Sequence, residues 1–249
     1  MNRRSSRLVL PSIILMIGLL ASACGGGKAA KGAAQPVVTS QTTVPAFDPN
    51  MSNVATAKVA SVKVYPQPSD TATSSQSLAN PTPIGGPLVF LIEQAQGDWL
   101  NVDLPVRPNG STGWIKAADV NISHHDWKII VELNAHRITV LKGANTVLSE
   151  PVAVGRSTAP TPGGKFYTKE LLQPPNPNTV YGPYAYGLSG FSDAFTTFAG
   201  GEAVIGIHGN NDPSSLGKDV SAGCIRMSNT GITTLAKMLP LGVPVEIRK

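Results

Sequence analysis

The chain contains a cysteine and a histidine whose spacing would allow nucleophilic chemistry. His208 closes an apolar segment that begins at Ile205, and Cys224 follows it after fifteen residues. Those intervening residues, Gly209 to Gly223, are rich in Asn, Asp, Pro, Ser and Gly, which is typical of a loop. Because such a loop can return the chain to the end of the preceding strand, we predict that the imidazole and the thiol lie together.

A pair of this kind would serve covalent catalysis. A free thiol has a pKa of about 8.5, so only a few per cent of it is thiolate at neutral pH. An imidazolium at His208 would stabilise the Cys224 thiolate and lower that pKa, and the ring could later give its proton to a leaving amine. We also predict that the Gly209 carbonyl fixes the histidine tautomer and that backbone N–H groups around Gly223 bind an oxyanion. A buried, inert cysteine is the alternative.

The cysteine content bears on the reactivity of Cys224, because the chain has only one other cysteine, Cys24. Residues 1–7 carry three arginines and no acid, residues 8–20 are apolar except for one serine, and small residues then precede Cys24. This pattern predicts a secretory signal peptide over residues 1–23. The apolar run is shorter than the roughly 20 residues of a membrane-spanning helix. An unpaired cysteine in an exported protein indicates an intermolecular bridge or a reactive thiol.

The residues around Cys24 resemble a bacterial lipobox, the signal at which a cysteine receives diacylglycerol and becomes the new N-terminus. The resemblance implies lipid attachment at Cys24 and a location at the outer face of the plasma membrane, facing the cell wall. Ala21 departs from the leucine usual at its position, and Leu20 stands beside it. Residues 24–53 are rich in Gly, Ala, Thr, Gln and Pro without an apolar period, which predicts a flexible, lipid-anchored linker.

The charge of the chain argues against nucleic acid as a partner. The formal net charge is +5, and the three arginines of the signal peptide supply three of it, so the remainder carries +2. No lysine- or arginine-rich run follows Arg7, whereas nucleic-acid-binding proteins present such tracts to phosphate. His124 and His125 would face opposite sides of a strand, so we expect no metal site there.

Residues 54–122 show the pattern of several short strands. Leu100, Val102 and Leu104 alternate with polar residues, which is the period of a half-buried strand. The segment from Ser69 to Pro87 is rich in Ser, Thr, Pro and Gly and predicts a long loop. About five short strands in this length predict a small barrel.

Two tryptophan-containing segments of residues 54–122 resemble a known class of β domain. Gly97 to Leu100 and Gly113 to Ile115, on either side of the hairpin signal Asn109-Gly110, resemble bacterial SH3-like domains, which often bind wall peptides. A β domain that only spaces or packs is the alternative.

Residues 127–249 predict a second, mainly β domain with one helix. Apolar runs that predict strands occur at Lys128–Leu133, Arg137–Leu141, Val147–Val154 and Val243–Ile247. Apolar residues recur with helical spacing at Ile232, Leu235, Ala236 and Leu239. Ser228 or Asn229 can cap this helix, and Pro240 with Gly242 ends it.

The cysteine and histidine belong to a wider pattern. Ile207-His208-Gly209, the fifteen-residue gap and Ser221 to Met227 resemble the L,D-transpeptidase catalytic domain, the YkuD family. Upstream, Val154-Gly155 and Thr161 to Phe166 resemble the family's Gly, Thr-Pro and Gly-x-Phe run. The resemblance covers residues 127–249 and implies an L,D-transpeptidase-type β-sandwich that follows the small SH3-like barrel.

By this resemblance Cys224 is the nucleophile and His208 the general base and acid, with no cofactor and no metal. The reaction would be acyl transfer on peptidoglycan stem peptides. Cys224 would attack the carbonyl of the third stem residue of a donor tetrapeptide and expel the terminal D-alanine. The thioester would then pass to the side-chain amine of an acceptor stem, which makes a cross-link. Water as acceptor would give an L,D-carboxypeptidase instead.

The expected substrate contacts are Ser221, Ala222, Arg226 and Tyr184. Arg226 either steadies the loop, binds a substrate carboxylate or is a surface charge. Tyr184, together with Tyr181 and Tyr186, either forms part of a lid over the donor groove or packs inside the domain.

Two positions depart from the family pattern. Ala222 stands where the family most often has histidine, and Asn210 where threonine or serine often follows His-Gly. The second hypothesis, which Ala222 alone favours, is a catalytically weak or inactive lipoprotein that binds peptidoglycan. The third hypothesis is a redox thiol. We rank it last because Cys224 lacks a resolving cysteine once Cys24 is lipidated.

Overall fold

The computed structural model describes residues 47–48, 50–198 and 200–249. The predicted signal peptide, Cys24 and most of the predicted linker lie outside these residues. The described part of the chain is mainly β, with nineteen strands, one α-helix and two 3-10 helices. None of its helices is both long and apolar enough to cross a membrane. The prediction of a mainly β fold with one clear C-terminal helix is confirmed.

The first part of the fold is a small antiparallel domain. Its strands are β1 (Ser52–Ala57), β2 (Ser61–Val64), β3 (Gln76–Ala79), β4 (Val89–Gln96), β5 (Trp99–Asp103), β6 (Thr112–Lys116) and β7 (Val120–His125), with a 3-10 helix at Ala117–Asp119. Five of them form one sheet in the order β6-β5-β4-β1-β7, and β2 pairs with β3 in a separate hairpin. Phe90, Leu100 and Ile115 are fully buried in its core.

The segment from Ser69 to Pro87, predicted as a loop, contains a strand. β3 pairs with β2, with Leu78 opposite Val62 and Ser77 opposite Lys63. The strand could not be recognised from the sequence because it contains a single large apolar residue, Leu78, which packs against the domain core. Its partner strand, rather than its own composition, determines its conformation.

The second part of the fold is built on a larger sheet. Its elements are β8 (Trp127–Glu132), β9 (Arg137–Lys142), β10 (Asn145–Pro151), β11 (Val154–Gly155), β12 (Gly164–Leu172), β13 (Ala185–Phe191), β14 (Thr197–Phe198), β15 (Gly201–Glu202), β16 (Val204–His208), a 3-10 helix (Pro213–Ser215), β17 (Asp219–Ser221), β18 (Ile225–Arg226), helix α1 (Asn229–Met238) and β19 (Pro244–Arg248). Eight strands form one sheet in the order β10-β9-β8-β19-β12-β13-β16-β18. Two small pairs, β11 with β17 and β14 with β15, flank it.

The sequence does not reveal the central strands β12 and β13. Strand β13 carries glycines at positions 187 and 190, which weaken its apolar signal. A Cβ atom at Gly190 would overlap the Phe166 ring, and one at Gly187 would overlap the Glu170 side chain. Gly190 therefore leaves room for the buried Phe166 ring of β12, and Gly187 for the Glu170 side chain.

Helix α1 follows the predicted apolar stripe and packs against the sheet. Ile232 and Leu235 are fully buried. Of the two candidate caps, Ser228 is the N-cap, since its hydroxyl accepts a hydrogen bond from the Gly231 N–H at 2.9 Å. The Glu150 carboxylate accepts from both the backbone and the hydroxyl of Ser228, which fixes the start of the helix against β10.

Tyr167 of β12 joins the two parts of the fold. Its side chain is fully buried and packs against Val54 and Val89 of the first sheet. Its hydroxyl donates to the Val89 carbonyl at 3.0 Å and lies 3.4 Å from the Asp103 carbonyl. Because both the apolar ring and the hydroxyl find their partners across the junction, the two parts pack as one compact unit.

Candidate active site

The parallel pairing of β16 with β18 brings together the two segments that the sequence singles out. Ile207 lies opposite Ile225 and His208 opposite Arg226. Cys224 directly precedes β18, so the fifteen-residue connection returns the chain to the strand that ends in His208. Imidazole and thiol line one cavity, whose walls are Val180, Tyr181, Ser192, Phe195, Phe198, Ala203, Val204, Ile205, His208, Ser221, Ala222, Cys224 and Arg226.

His208 is buried and held in one orientation. Its Nδ1 lies 2.6 Å from the Gly209 carbonyl oxygen, which can only accept, so Nδ1 carries a proton and Nε2 is the basic nitrogen. Burial, the largest cause, and the charge of Arg226 together lower the pKa of His208 to about 4, although the backbone groups of Gly209 and Val180 act in the opposite direction. The ring is therefore neutral at neutral pH.

Cys224 is a half-buried free cysteine. Burial raises the pKa of its thiol, while the backbone of Gly206 and the charge of Arg226 oppose the shift. No hydrogen bond within the described residues joins its sulfur to His208. The resting site therefore holds a neutral thiol and a neutral imidazole in one cavity.

This state corrects the expectation that an imidazolium lowers the pKa of Cys224. Removal from water disfavours both charged forms, and it is the largest cause of the shift of both pKa values. The sequence could not show this effect because the burial arises from tertiary packing, which leaves His208 only 4% exposed to solvent.

A turn before the cysteine sets the path of the backbone. The Ser221 hydroxyl donates to the Cys224 carbonyl at 2.6 Å and accepts from the Gly223 N–H at 3.1 Å. Gly223 has φ +117°, a conformation that side-chain-bearing residues rarely adopt. Its N–H is thus engaged by Ser221 in the resting state, and this bond must open if the group is to bind an oxyanion.

Asn210, where the family pattern has threonine or serine, secures the other end of the connection. Its side-chain amide donates to the Met227 carbonyl at 2.8 Å, and its backbone N–H donates to Asn229 Oδ1 at 2.9 Å. The Met227 N–H in turn donates to the His208 carbonyl. Asn210 therefore links the end of β16 to the start of α1.

Of the four expected substrate contacts, three line the cavity. Ser221, Ala222 and Arg226 do so, and the buried Nε of Arg226 has no hydrogen-bond partner among the described residues. Tyr184 is not among the lining residues and packs against the core of the second domain.

The other two tyrosines of that stretch have different roles. Tyr181 lines the cavity, and its ring centroid lies 5.0 Å from that of His208. Tyr186 is fully buried, and its hydroxyl lies 3.1 Å from the Leu239 carbonyl and 3.2 Å from that of Leu235.

The sequence analysis missed one wall of the cavity. Ser192 and Phe195 lie in the connection between β13 and β14, Phe198 lies in β14, and all three line the same cavity as Cys224. Nothing in the motif pattern marks them. Aromatic residues in a polar loop are the only available signal, and that signal is common to many loops.

The burial of the thiol makes a testable prediction about its reactivity. We expect the rate of Cys224 alkylation by iodoacetamide to rise continuously from pH 6 to above pH 9, because the reactive thiolate forms only at alkaline pH. His208→Ala should change the rate at pH 7 by less than about threefold, since no imidazolium is present to lose. A rate that is already maximal below pH 7, and that falls in His208→Ala, would contradict this.

Comparison with known proteins identifies the second domain. Residues 126–247 match the YkuD family, the L,D-transpeptidase catalytic domain. The YkuD protein of Bacillus licheniformis is 36% identical over 121 residues, which cover 49% of this chain and 65% of that protein. The YqjB protein of Bacillus subtilis is 30% identical over 129 residues, which cover 48% of this chain and 69% of that protein.

A solved L,D-transpeptidase from Mycobacterium smegmatis aligns with a TM-score of 0.40 and 14% identity, covering 65% of this chain and 90% of that one. Because this structural similarity is low, the assignment of the chain to a family rests on the sequence matches alone. The first two curated relatives are covered over just under two thirds of their length. The chain belongs to the L,D-transpeptidase (YkuD) family.

Proposed function

We propose that the chain is a peptidoglycan L,D-transpeptidase that joins stem peptides through a thioester on Cys224. One observation carries the proposal: a single cavity contains a free thiol and a histidine whose Nδ1 is tied to the Gly209 carbonyl. That bond leaves Nε2 as the only basic nitrogen of the ring. Membership of the family supports the class of reaction, an acyl transfer.

The first half-reaction would form the acyl-enzyme. As the Cys224 sulfur attacks the carbonyl carbon of the third stem residue, His208 Nε2 takes the thiol proton. The tetrahedral intermediate then collapses, the bond to the terminal D-alanine breaks, and His208 returns the proton to the leaving amine. A thioester and free D-alanine result, and the histidine is neutral again.

The neutral resting pair fits this sequence of steps. A histidine with a pKa of about 4 is a weak base, so it would take the proton only as the carbon–sulfur bond forms. A thiolate generated from a thiol of raised pKa is in turn a stronger nucleophile than one of low pKa. Attack and proton transfer would therefore be coupled.

The second half-reaction would consume the thioester. The side-chain amine of an acceptor stem attacks the thioester carbonyl, His208 takes the proton of the amine, and the proton returns to the departing sulfur. The product is a cross-linked dimer of stem peptides and a free Cys224. If water replaced the amine, the same steps would release a shortened monomer.

The central prediction is the formation of this dimer. Residues 25–249 mixed with disaccharide-tetrapeptide should yield dimers that have lost one D-alanine, and mass spectrometry distinguishes them by mass. Cys224→Ala should form none, because it lacks the nucleophile.

Other results would point to the other hypotheses. Monomers shortened by D-alanine would establish a carboxypeptidase. Unchanged substrate with a correctly folded protein would favour a lipoprotein that binds peptidoglycan without turnover.

Arg226 is proposed to bind the carboxylate of the departing D-alanine. It lines the cavity beside Cys224, and its buried Nε lacks a partner among the described residues. A carboxylate is the group that a guanidinium binds best, since it accepts two parallel hydrogen bonds.

A donor with an amidated C-terminus tests this role. Arg226→Gln should lower kcat/KM for the ordinary tetrapeptide by at least about tenfold, since a hydrogen bond to a charged group contributes about 1.5–3 kcal/mol. For the amidated donor, wild type and Arg226→Gln should differ by less than about twofold. Equal losses with both donors would show that Arg226 acts through the fold and not through the carboxylate.

The proposed setting of this reaction is the outer face of the plasma membrane. The support is the sequence pattern of residues 1–24, a basic start, an apolar run and small residues before Cys24. The first β domain would then be an SH3-like module next to the wall.

Fractionation of cells that express the full chain tests the anchor. We expect the wild-type protein in the membrane fraction and Cys24→Ser outside it, because only a cysteine at this position accepts the lipid. Retention of Cys24→Ser in the membrane would argue against lipidation.

A further inference from the structure

We infer that the first β domain positions one wall of the cavity that contains Cys224: Arg107 and Asn109 are positioning residues that hold this wall by hydrogen bonds. Both lie in the β5–β6 loop, residues 104–111. The wall segment is residues 191–195, which leaves β13 and carries Ser192 and Phe195 into the cavity. In its catalytic consequence the inference rests on the proposed function.

Arg107 spans the wall segment with one guanidinium group. Its Nη1 donates to the Ser192 carbonyl at 3.0 Å, and its Nη2 donates to the Phe195 carbonyl at 2.8 Å. Hydrogen bonds from a charged donor are stronger than those from a neutral one. Because the guanidinium is rigid and planar, the two bonds fix the distance between the two carbonyls.

Asn109 holds the beginning of the same segment. Its side-chain nitrogen donates to the Phe191 carbonyl at 2.8 Å, and its Oδ1 accepts from the Phe191 N–H, also at 2.8 Å. The Asn109 side-chain amide thus makes the two backbone hydrogen bonds that a neighbouring strand would otherwise make at the end of β13. The Phe191 ring is fully buried, and the Arg107 guanidinium lies 4.9 Å from its centroid.

The turn of the wall segment lies beside Gly223, the residue that precedes the nucleophile. The Ser192 hydroxyl accepts from the N–H groups of Ala194 and Phe195, both at 3.2 Å, which makes a tight turn. A Cβ atom on Gly223 would lie 3.9 Å from that hydroxyl oxygen. The turn therefore stands beside the residue that precedes Cys224, where a bound donor must pass.

Within its own domain the wall segment is held by a few contacts: Phe191 pairs with Val204 of β16, and the Ala203 N–H donates to the Thr196 carbonyl. Beyond the turn, the chain continues only into the short strands β14 and β15, and Phe198 at the end of β14 is half exposed. Within the second domain, the Ser192 N–H donates to the Ala203 carbonyl. Arg107 and Asn109 add four hydrogen bonds to these contacts, three that they donate and one that Asn109 accepts, and thereby help to position Ser192 and Phe195.

This assigns the first domain a role in aligning the donor. A displacement of about 1 Å in a binding wall can lower a rate by up to about 100-fold, because the reacting atoms no longer meet in line. The cavity shape would thus depend on two side chains that lie outside the family's own domain, residues 126–247.

The test compares Arg107→Ala, Arg107→Lys and Asn109→Ala with Lys63→Ala as the control. Lys63 is an exposed residue of β2 in the same domain. Three measurements are made on each purified protein: kcat and KM with disaccharide-tetrapeptide, hydrogen exchange of the 191–198 segment, and Cys224 alkylation by iodoacetamide and by the bulkier N-phenylmaleimide. Thermal unfolding reports whether each variant folds.

We expect kcat/KM to fall about tenfold in Arg107→Ala and Asn109→Ala, with the iodoacetamide rate unchanged within about twofold. Hydrogen exchange should quicken in residues 191–198, and the ratio of the maleimide rate to the iodoacetamide rate should change at least about threefold. Arg107→Lys should resemble Arg107→Ala, since an ammonium group cannot span both carbonyls. Lys63→Ala should match the wild type throughout.

Two results would overturn the inference. The first is wild-type kcat/KM and wild-type reagent ratio in folded Arg107→Ala and Asn109→Ala. The second is an equal change of both reagent rates together with general loss of thermal stability, which would indicate unfolding. If the wild type itself makes no dimers, the proposed function fails, and the reagent ratio and the exchange data still decide whether the loop positions the wall.

Discussion

The site depends on one short parallel pairing, that of β16 with β18. Only two residue pairs form it, yet it places His208 level with Arg226 and Cys224 at the start of the partner strand. The pairing is held at both ends by side chains, with Asn210 at the end of β16 and Ser221 before β18. Ile207 and Ile225 bury the pair in the core. Core packing therefore sets the geometry of the reactive groups.

Burial then determines the chemical state of those groups. The same packing that fixes His208 removes it from water, so the ring stays neutral and the thiol stays protonated. A protonated thiol resists oxidation better than a thiolate does, so burial also slows the oxidation of Cys224. The site would be protected at rest and would become reactive only when a donor excludes water and brings a carbonyl to the sulfur.

Local sequence patterns predicted those features that local residues determine. The apolar stripe and cap of α1 and the alternation of β5 are of this kind, and the Cys224 and His208 pattern identified the family. Features set by distant partners could not be predicted. Strand β3 takes its conformation from β2, and the pKa of Cys224 comes from burial. The choice of Tyr181 over Tyr184 as the ring beside His208 depends on how the chain turns before β13.

The buried Tyr167 at the junction has a mechanical consequence. A tyrosine ring buried between two sheets, with its hydroxyl bound to the Val89 carbonyl, resists rotation of one domain against the other. A pull applied at the N-terminal end of the first sheet would be transmitted to the second as a rotation of the whole body. The orientation of the cavity relative to the first sheet would then stay the same under such a load.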